Sequence, residues 1–550
     1  MIDILIQRGL LVDGSGSEPF EGDIGIAGER IVSVKKTVSL RRSRTGVSAK
    51  KRIDAEGLVV CPGFIDTHAH SEFTLLADPR AEGKVLQGIT TEINGNCGLS
   101  AAPLLGEALE RREEDLSEYD IRERWKSFPE YFSLLRKRGI AVNFLTLAGH
   151  GNLRASVVGY RDREATEKER AQMCRLLGQS LREGAIGLSS GLIYPPGVYS
   201  DREELIGLLR VMSVRKRSIT GFPAQGSEEG ASGIYTTHMR SEGDGLIESV
   251  RETLALGREA KIKVHISHIK TSGEKNWHKA DEVIAMMEDA GKRGFRVTAD
   301  RYPYVAASTD LDTVLPEWTY EGGNREELRR ITDPDICSRI RREILQAHPE
   351  KRYWESIRIS AVRSRKNVWM EGRSIADIAD GTGTEPVDML IRILREEKLR
   401  AGAVFFSMSE KNLNKFLSLP SVMIGTDSAA RSYSGPTRRG KPHPRGFGSF
   451  PRFLGGYVRD KGMMSIQEAV HKITMLPAQT FGIRDRGVLK KGAYADIVLW
   501  HYQGIRDRAT FEEPFLSPEG IHTVLVNGKL VVRDGETTPC RPGRVLEHGR

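Results

Sequence analysis

The sequence predicts an α/β protein: a (β/α)8 TIM-type barrel carrying a small β-sandwich domain formed by both chain termini. Three observations carry this expectation. Strand-like apolar runs alternate with helical patterns through the middle of the chain, as βαβ units and a parallel sheet require. The two ends share a different texture, short alternating segments broken by Gly and Asp turns. At 550 residues, the chain is long enough for one large core and an accessory unit.

Taken in order, residues 1–60 form the N-terminal part of the small domain, with ILIQRGLLVDG and DIGIAGERIVSV as its strand segments. Between Lys35 and Arg52 lie eight basic residues and no acid, a stretch without periodicity that reads as a solvated loop. The barrel is expected over 61–484. Its eight strands are expected near 59–67, 89–93, 142–148, 185–190, 234–238, 263–268, 296–302 and 421–426, with a helical pattern from Asp162 to Arg182 between two of them. The gap at about 310–420 contains charged helical stretches and reads as an insertion, and no internal repeat is evident. Residues 485–550 close the small domain, where GVLKKGAYADIVLW and HTVLVNGKLVVRDGE alternate around Asn-Gly and Asp-Gly turns.

Composition narrows the function. The chain has 83 Lys and Arg against 74 Asp and Glu, but removing the eight basic residues of 35–52 leaves 75 against 74. The net charge of +9 is therefore mostly one loop, and it argues for neither nucleic acid nor a membrane as partner. The amino terminus, MIDILIQRGLLVDGSG, has no apolar signal-like run, and five scattered cysteines make no disulfide framework, so a cytoplasmic protein is expected.

Chemistry gathers at the predicted strand ends. Gly63-Phe-Ile-Asp-Thr-His-Ala-His70 ends an apolar run in His68 and His70, which share one side of a strand because they are two residues apart. Cys97, His238, His268 and Asp427 end other predicted strands, and catalytic side chains of such barrels collect at those ends. A thiolate with two imidazoles is a suitable Zn²⁺ set with one position left open, and Zn²⁺ activates water and polarises a carbonyl. A carboxylate beside them, Asp427, suits general base and then general acid catalysis. His265, three residues before His268, is expected to pack outward against the helices. His150 reads as a structural hydrogen-bonding residue at least as readily as a site residue.

Those residues, together with PGFIDTHAHSE, GNCGLSAAP, GLSSGLIYPPG, HMRSEG, SHIK, YPYVAAST, GTDS, HPRGFGSF and GAYADIVLW, resemble the amidohydrolase superfamily and, within it, the D-aminoacylases or N-acyl-D-amino-acid deacylases. The resemblance implies a zinc-dependent hydrolase of N-acyl-D-amino acids, a small-molecule substrate. It implies a tightly held zinc on Cys97, His238 and His268, a second weaker metal position completed by His68 and His70, and Asp427 as catalytic acid and base. It also implies that Lys270 and Arg445 hold the substrate carboxylate, with Tyr194, Tyr302 and Ser308 as further contacts. The stretches 35–52 and 213–234 are longer than the family pattern. Two other readings compete: a cyclic-amide hydrolase of the dihydroorotase or hydantoinase kind, disfavoured by Cys97 where those relatives use a carboxylated lysine, and a catalytically inactive scaffold, disfavoured because every ligand type is present.

Overall fold

The computed structural model describes residues 1–37, 48–214 and 233–547. Eight short parallel strands form the barrel: Phe64–Asp66, Ile89–Asn94, Asn143–Thr146 continued by Ala148–Gly149, Gly187–Gly191, Ile234–His238, Lys263–Ile266, Val297–Arg301 and Val422–Ile424. The ring closes where the eighth strand meets the first. There, Asp427 N–H donates to the His68 carbonyl at 2.8 Å, and Ala69 pairs with Ser428. Inside the barrel, Ile65, Ile93, Leu145, Ile186, Ile234 and Met423 pack on Phe481 in a buried cluster. The strands are short and buried on both faces, so they read as apolar runs rather than alternating ones.

The run expected as one strand over 59–67 is two. Val59–Pro62 pairs with Ile497–Trp500 in the terminal sheet, and only Phe64–Asp66 enters the barrel. Gly63 marks the crossing, where a Cβ would lie 2.1 Å from Thr90 Oγ1, so no larger residue fits. The terminal sheet has nine strands drawn from both ends of the chain, over a core including Ile6, Ile24, Val60, Ile497 and Leu525. A segment farther on returns to the barrel, Gly543 pairing with Ile140 and Val545 with Phe144.

Part of the expected basic loop is also sheet. Ala49–Asp54 runs parallel to Ile2–Leu11, Lys50 forms an ion pair with Asp3 at 2.9 Å, and Arg52 donates to Gln7 at 2.9 Å. Pairing with a strand some forty-five residues away leaves no local periodic signal, so the sequence read it as loop. Residues 38–47 lie outside the described residues, as does 215–232, most of the expected insertion at 213–234. The helix expected from Asp162 begins at Glu167, because Thr166 caps it and Glu169 reaches back to complete a capping box.

The long insertion is a folded unit. Ala307–Asp310, Ile357–Ala361 and Gly402–Phe405 form an antiparallel sheet, and helices cover a separate buried cluster that includes Leu311, Ile340, Ile359, Leu390 and Ala403. Its first strand begins six residues after the seventh barrel strand and so forms a wall at the barrel mouth. Among the described residues no helix is long and apolar enough to cross a membrane.

Candidate active site

The mouth of the barrel gathers side chains from strands far apart in sequence. His68 and His70 leave the first strand on the same side with ring centroids 5.1 Å apart. Cys97 follows the second strand, His238 ends the fifth, His268 lies two residues past the sixth, and Asp427 lies three past the eighth. His68 Nε2 approaches Cys97 Sγ at 3.3 Å, and Cys97 Sγ lies 3.4 Å from His268 Nε2. Two groups of possible metal donors result, His68, His70, Cys97 and Asp427 in one and Cys97, His238 and His268 in the other. Within each, the donor atoms all lie within 4.8 Å of one another. The cysteine sulfur is common to both.

Backbone conformation brings these side chains together. Cys97, His268 and Asp427 have φ of +53°, +35° and +49°, left-handed values that L-residues with side chains adopt at a cost of about 1–3 kcal/mol each. At Cys97 the turn is flanked by Gly95 and Gly98, at φ +76° and +75°. At His268 it follows the end of the strand at Ile266, which is why the strand-parity reading of His265 fails. His265 does not pack outward. It points into the barrel, its Nε2 2.7 Å from Asp300 Oδ2 and its ring edge against Phe481, while its neighbours Val264 and Ile266 pack on the outer helices.

Electrostatics favour a cation here. Burial alone raises the Cys97 thiol, but the charges of His68 and His268 and the hydrogen bond from His268 outweigh it and hold the thiol well below its ordinary value. Burial opposes charge on His68 and His70 as well, yet Asp300, Cys97 and Asp427 around them push the two imidazoles up to about 9 and about 10. A pocket that holds protons this firmly has a strongly negative field. His238 differs: burial, aided by the charge of His268, lowers it, and both its ring nitrogens are buried without a hydrogen-bond partner. An orphaned imidazole facing a thiolate and a second imidazole is the donor set of a tetrahedral zinc site with one position to spare, so the residues fit that metal.

The carboxylates and their cations sit at one rim. Asp427 Oδ1 lies 3.3 Å from His70 Nε2, and Asp427 Oδ2 forms an ion pair with Arg445 Nη1 at 2.8 Å. Against its burial, Arg445, His268 and His68 keep the Asp427 carboxyl well below the usual range, so it is ionised. Arg445 opens the helix Arg445–Arg452, also donates to the Ser308 carbonyl at 3.2 Å, and lies 4.6 Å over the Tyr302 ring. Tyr302 is fully buried with an unpartnered hydroxyl. Lys270 Nζ is ion-paired with Glu242 Oε1 and lies 2.7 Å from His268 Nδ1. Tyr194 presents its ring edge-on to His238 at 4.8 Å, with its hydroxyl 3.4 Å from Thr309 Oγ1.

Every residue nominated from the sequence thus lies at this mouth, although Ser308 contributes its carbonyl to Arg445 while its side chain is only half-buried. His150 stands apart, its Nε2 2.7 Å from the buried Glu204 that also pairs with Arg154, a structural arrangement. Sequence reasoning missed several residues. Glu242, within HMRSEG, accepts from both Lys270 and His268. Asp300, at the end of the seventh strand, accepts from His68, His265 and the His268 backbone. His443 receives the Arg445 N–H at 3.0 Å and donates to the Ala306 carbonyl at 2.9 Å. Beneath them, Lys84 reaches Asp66 Oδ2 at 2.7 Å, Glu92 Oε1 at 2.8 Å, Thr426 Oγ1 at 2.8 Å and the Ser428 carbonyl at 3.0 Å, with the charged side chains fully buried. For Asp300, Asp66, Glu92 and Lys84 the one available signal was a charged residue in an otherwise apolar barrel strand or the helix behind it, whereas Glu242 and His443 lie in loops.

Known proteins share this architecture. The model of the amidohydrolase family matches residues 51–532. D-aminoacylase of Alcaligenes xylosoxydans xylosoxydans is 34% identical over 546 residues, covering 99% of this chain and 97% of that protein. A crystal structure of D-aminoacylase superposes with a TM-score of 0.80 at 33% identity, each chain covered to 100%. N-acyl-D-glutamate deacylase from Bordetella bronchiseptica, solved with zinc and a phosphonate mimic of the tetrahedral intermediate, superposes with a TM-score of 0.80 at 31% identity, 99% of each chain being covered.

Proposed function

The chain belongs to the amidohydrolase family, and on that premise we propose that it hydrolyses the amide bond of N-acyl-D-amino acids to a carboxylate and a free D-amino acid. The observation that carries this reading is the adjacency, at one barrel mouth, of a Cys-His-His donor set, an ionised carboxylate and a guanidinium. Cys97, His238 and His268 would hold Zn²⁺, with a second, weaker position involving His68 and His70, and the metal when bound would supply an electrophile for the acyl carbonyl and acidity for a water.

The chain's own groups do the rest. Asp427, held ionised, accepts the proton of the attacking water and returns it to the amine nitrogen as the C–N bond breaks, acting as base and then as acid. Arg445 and Lys270 hold the α-carboxylate. A guanidinium takes a carboxylate bidentately, and an ammonium adds a second point charge. Tyr302, whose buried hydroxyl has no partner, is a donor ready for that carboxylate, and Tyr194 and Ser308 line the same approach. Because carboxylate anchor and scissile carbonyl are both fixed, the side chain at the α-carbon meets one wall for each hand, which gives a stereochemical preference.

The shared position of Cys97 favours a linear amide over the cyclic amides that lysine-carboxylate relatives open. All five cysteines are unpaired, which supports a cytoplasmic location. The test is hydrolysis of paired N-acetyl-D and N-acetyl-L amino acids with acidic, apolar and basic side chains. Turnover of the D series alone is expected. Equal rates on both hands, or turnover of a hydantoin and no acyl amino acid, would reject the reading.

A further inference from the structure

Asp300 is fully buried near the end of the seventh barrel strand and belongs to neither group of metal donors. Its carboxylate nevertheless accepts three hydrogen bonds from residues of the first and sixth strands. Oδ1 accepts the backbone N–H of His268 at 2.8 Å. Oδ2 accepts from His265 Nε2 at 2.7 Å and from His68 Nδ1 at 3.2 Å. His265 is itself held, because its Nδ1 lies 2.9 Å from the hydroxyl of Thr298, which donates to it. The rings of His265 and His68 and the carboxylate between them are all fully buried.

Each bond has a consequence for a different donor group. The bond to His68 Nδ1 fixes that ring with Nε2 toward Cys97, in the group formed with His70 and Asp427. The bond to the His268 backbone holds a residue at φ +35°, a conformation that directs its ring into the other group with Cys97 and His238. We propose that Asp300, steadied by His265, is a positioning residue that orders both metal positions at once, so that their affinities rise and fall together.

This rests on the two donor groups being metal sites, the reading given above, and the test separates the two claims. Asp300→Asn keeps the size of the side chain but turns an NH2 toward one or more of the N–H groups that the carboxylate accepts, which forces His68 or His268 to reorient. Outer partners of metal-binding histidines are each worth about 10–100-fold in metal affinity. Zinc binding to the purified full chain, titrated against a chromophoric chelator, should therefore show both binding steps weakened about 10–100-fold in Asp300→Asn. His265→Phe, which preserves packing on Phe481 and removes one donor from Asp300, should weaken both steps in the same direction by a smaller factor. It also keeps the test alive if Asp300→Asn fails to fold. The visible spectrum of the cobalt-loaded protein should change in both variants. A folded Asp300→Asn, or a His265→Phe, that binds zinc as the unaltered chain does would overturn the proposal, as would a loss confined to one step. An unaltered chain that binds no zinc would overturn the metal-site reading and this proposal together.

Discussion

Lys84 gives the sharpest test of what holds the site's floor. Its ammonium has three hydrogens and four acceptors within reach, from the first, second and eighth strands, with Lys84, Asp66 and Glu92 fully buried. Lys84→Met retains the length of the side chain and removes the charge. Asp66 keeps three other donors, Thr426 N–H at 2.8 Å, Thr426 Oγ1 at 2.6 Å and His68 N–H at 3.2 Å. Glu92 keeps only Ser71 Oγ at 3.1 Å, and its Oε2 has no partner. Burial already raises Glu92 above its ordinary value of 4.5 with Lys84 present, and losing the ammonium raises it further, toward the protonated form. Holding a carboxyl of ordinary pKa 4.5 protonated at pH 7 costs about 3.4 kcal/mol, the ceiling on the loss, because the part of the shift present with Lys84 in place is borne by the unaltered chain too. At pH 5 the same cost is only about 0.7 kcal/mol.

The expected result in urea unfolding is therefore a loss of up to about 3 kcal/mol at pH 7 that shrinks to about 1 kcal/mol or less at pH 5. Glu92→Gln in the Lys84→Met background should recover most of the loss at pH 7, because the group that had to protonate is gone. A loss below about 1 kcal/mol at pH 7, or a gap that widens on acidification, would refute the reasoning.

Three further outcomes follow from the geometry. Asp427→Asn should lower turnover by about 10²–10⁴-fold while bound zinc, measured by elemental analysis, is retained; near-normal turnover removes Asp427 from the proton transfers. Cys97→Ser should weaken zinc at both positions, since one sulfur serves both donor groups, and a variant with full zinc content refutes that sharing. Glu327, buried in the insertion, is pushed up to about 9, chiefly by burial and then by Asp312. Its folded-state pKa is raised, so its ionisation destabilises the fold increasingly as pH rises from about 4.5 to about 9. Glu327→Gln should melt higher than the unaltered chain at pH 9, the difference vanishing below about pH 4.5, and a pH-independent difference contradicts this.

Much of the fold was legible because the barrel strands are apolar runs that end in chemistry. His68 and His70, paired by strand parity, do lie together although both follow the strand's end at Asp66, and Cys97, His238 and Asp427 stood out as metal-ligand types at strand ends. The failures have definite causes. The run through Gly63 is apolar throughout, and only contact with Thr90 separates a sheet strand from a barrel strand. His265 was assigned the wrong face because parity was carried across Ser267 and His268, where the strand has already ended. Asp300, Glu242 and Lys84 owe their roles to partners that topology, not spacing, brings near, and a single charged residue in a strand carries no periodic mark.

The pairing of Val59–Pro62 with Ile497–Trp500 also sets a schedule for the growing chain. At about 5–20 residues per second, the partner strand leaves the ribosome roughly 20–90 s after the first has been made. Through that interval the amino-terminal strands present an unpaired hydrogen-bonding edge, and Phe144 in the third barrel strand waits almost as long for Val545. Production of this protein should therefore depend on holdase chaperones and on temperature during synthesis far more than its finished, well-buried core would suggest.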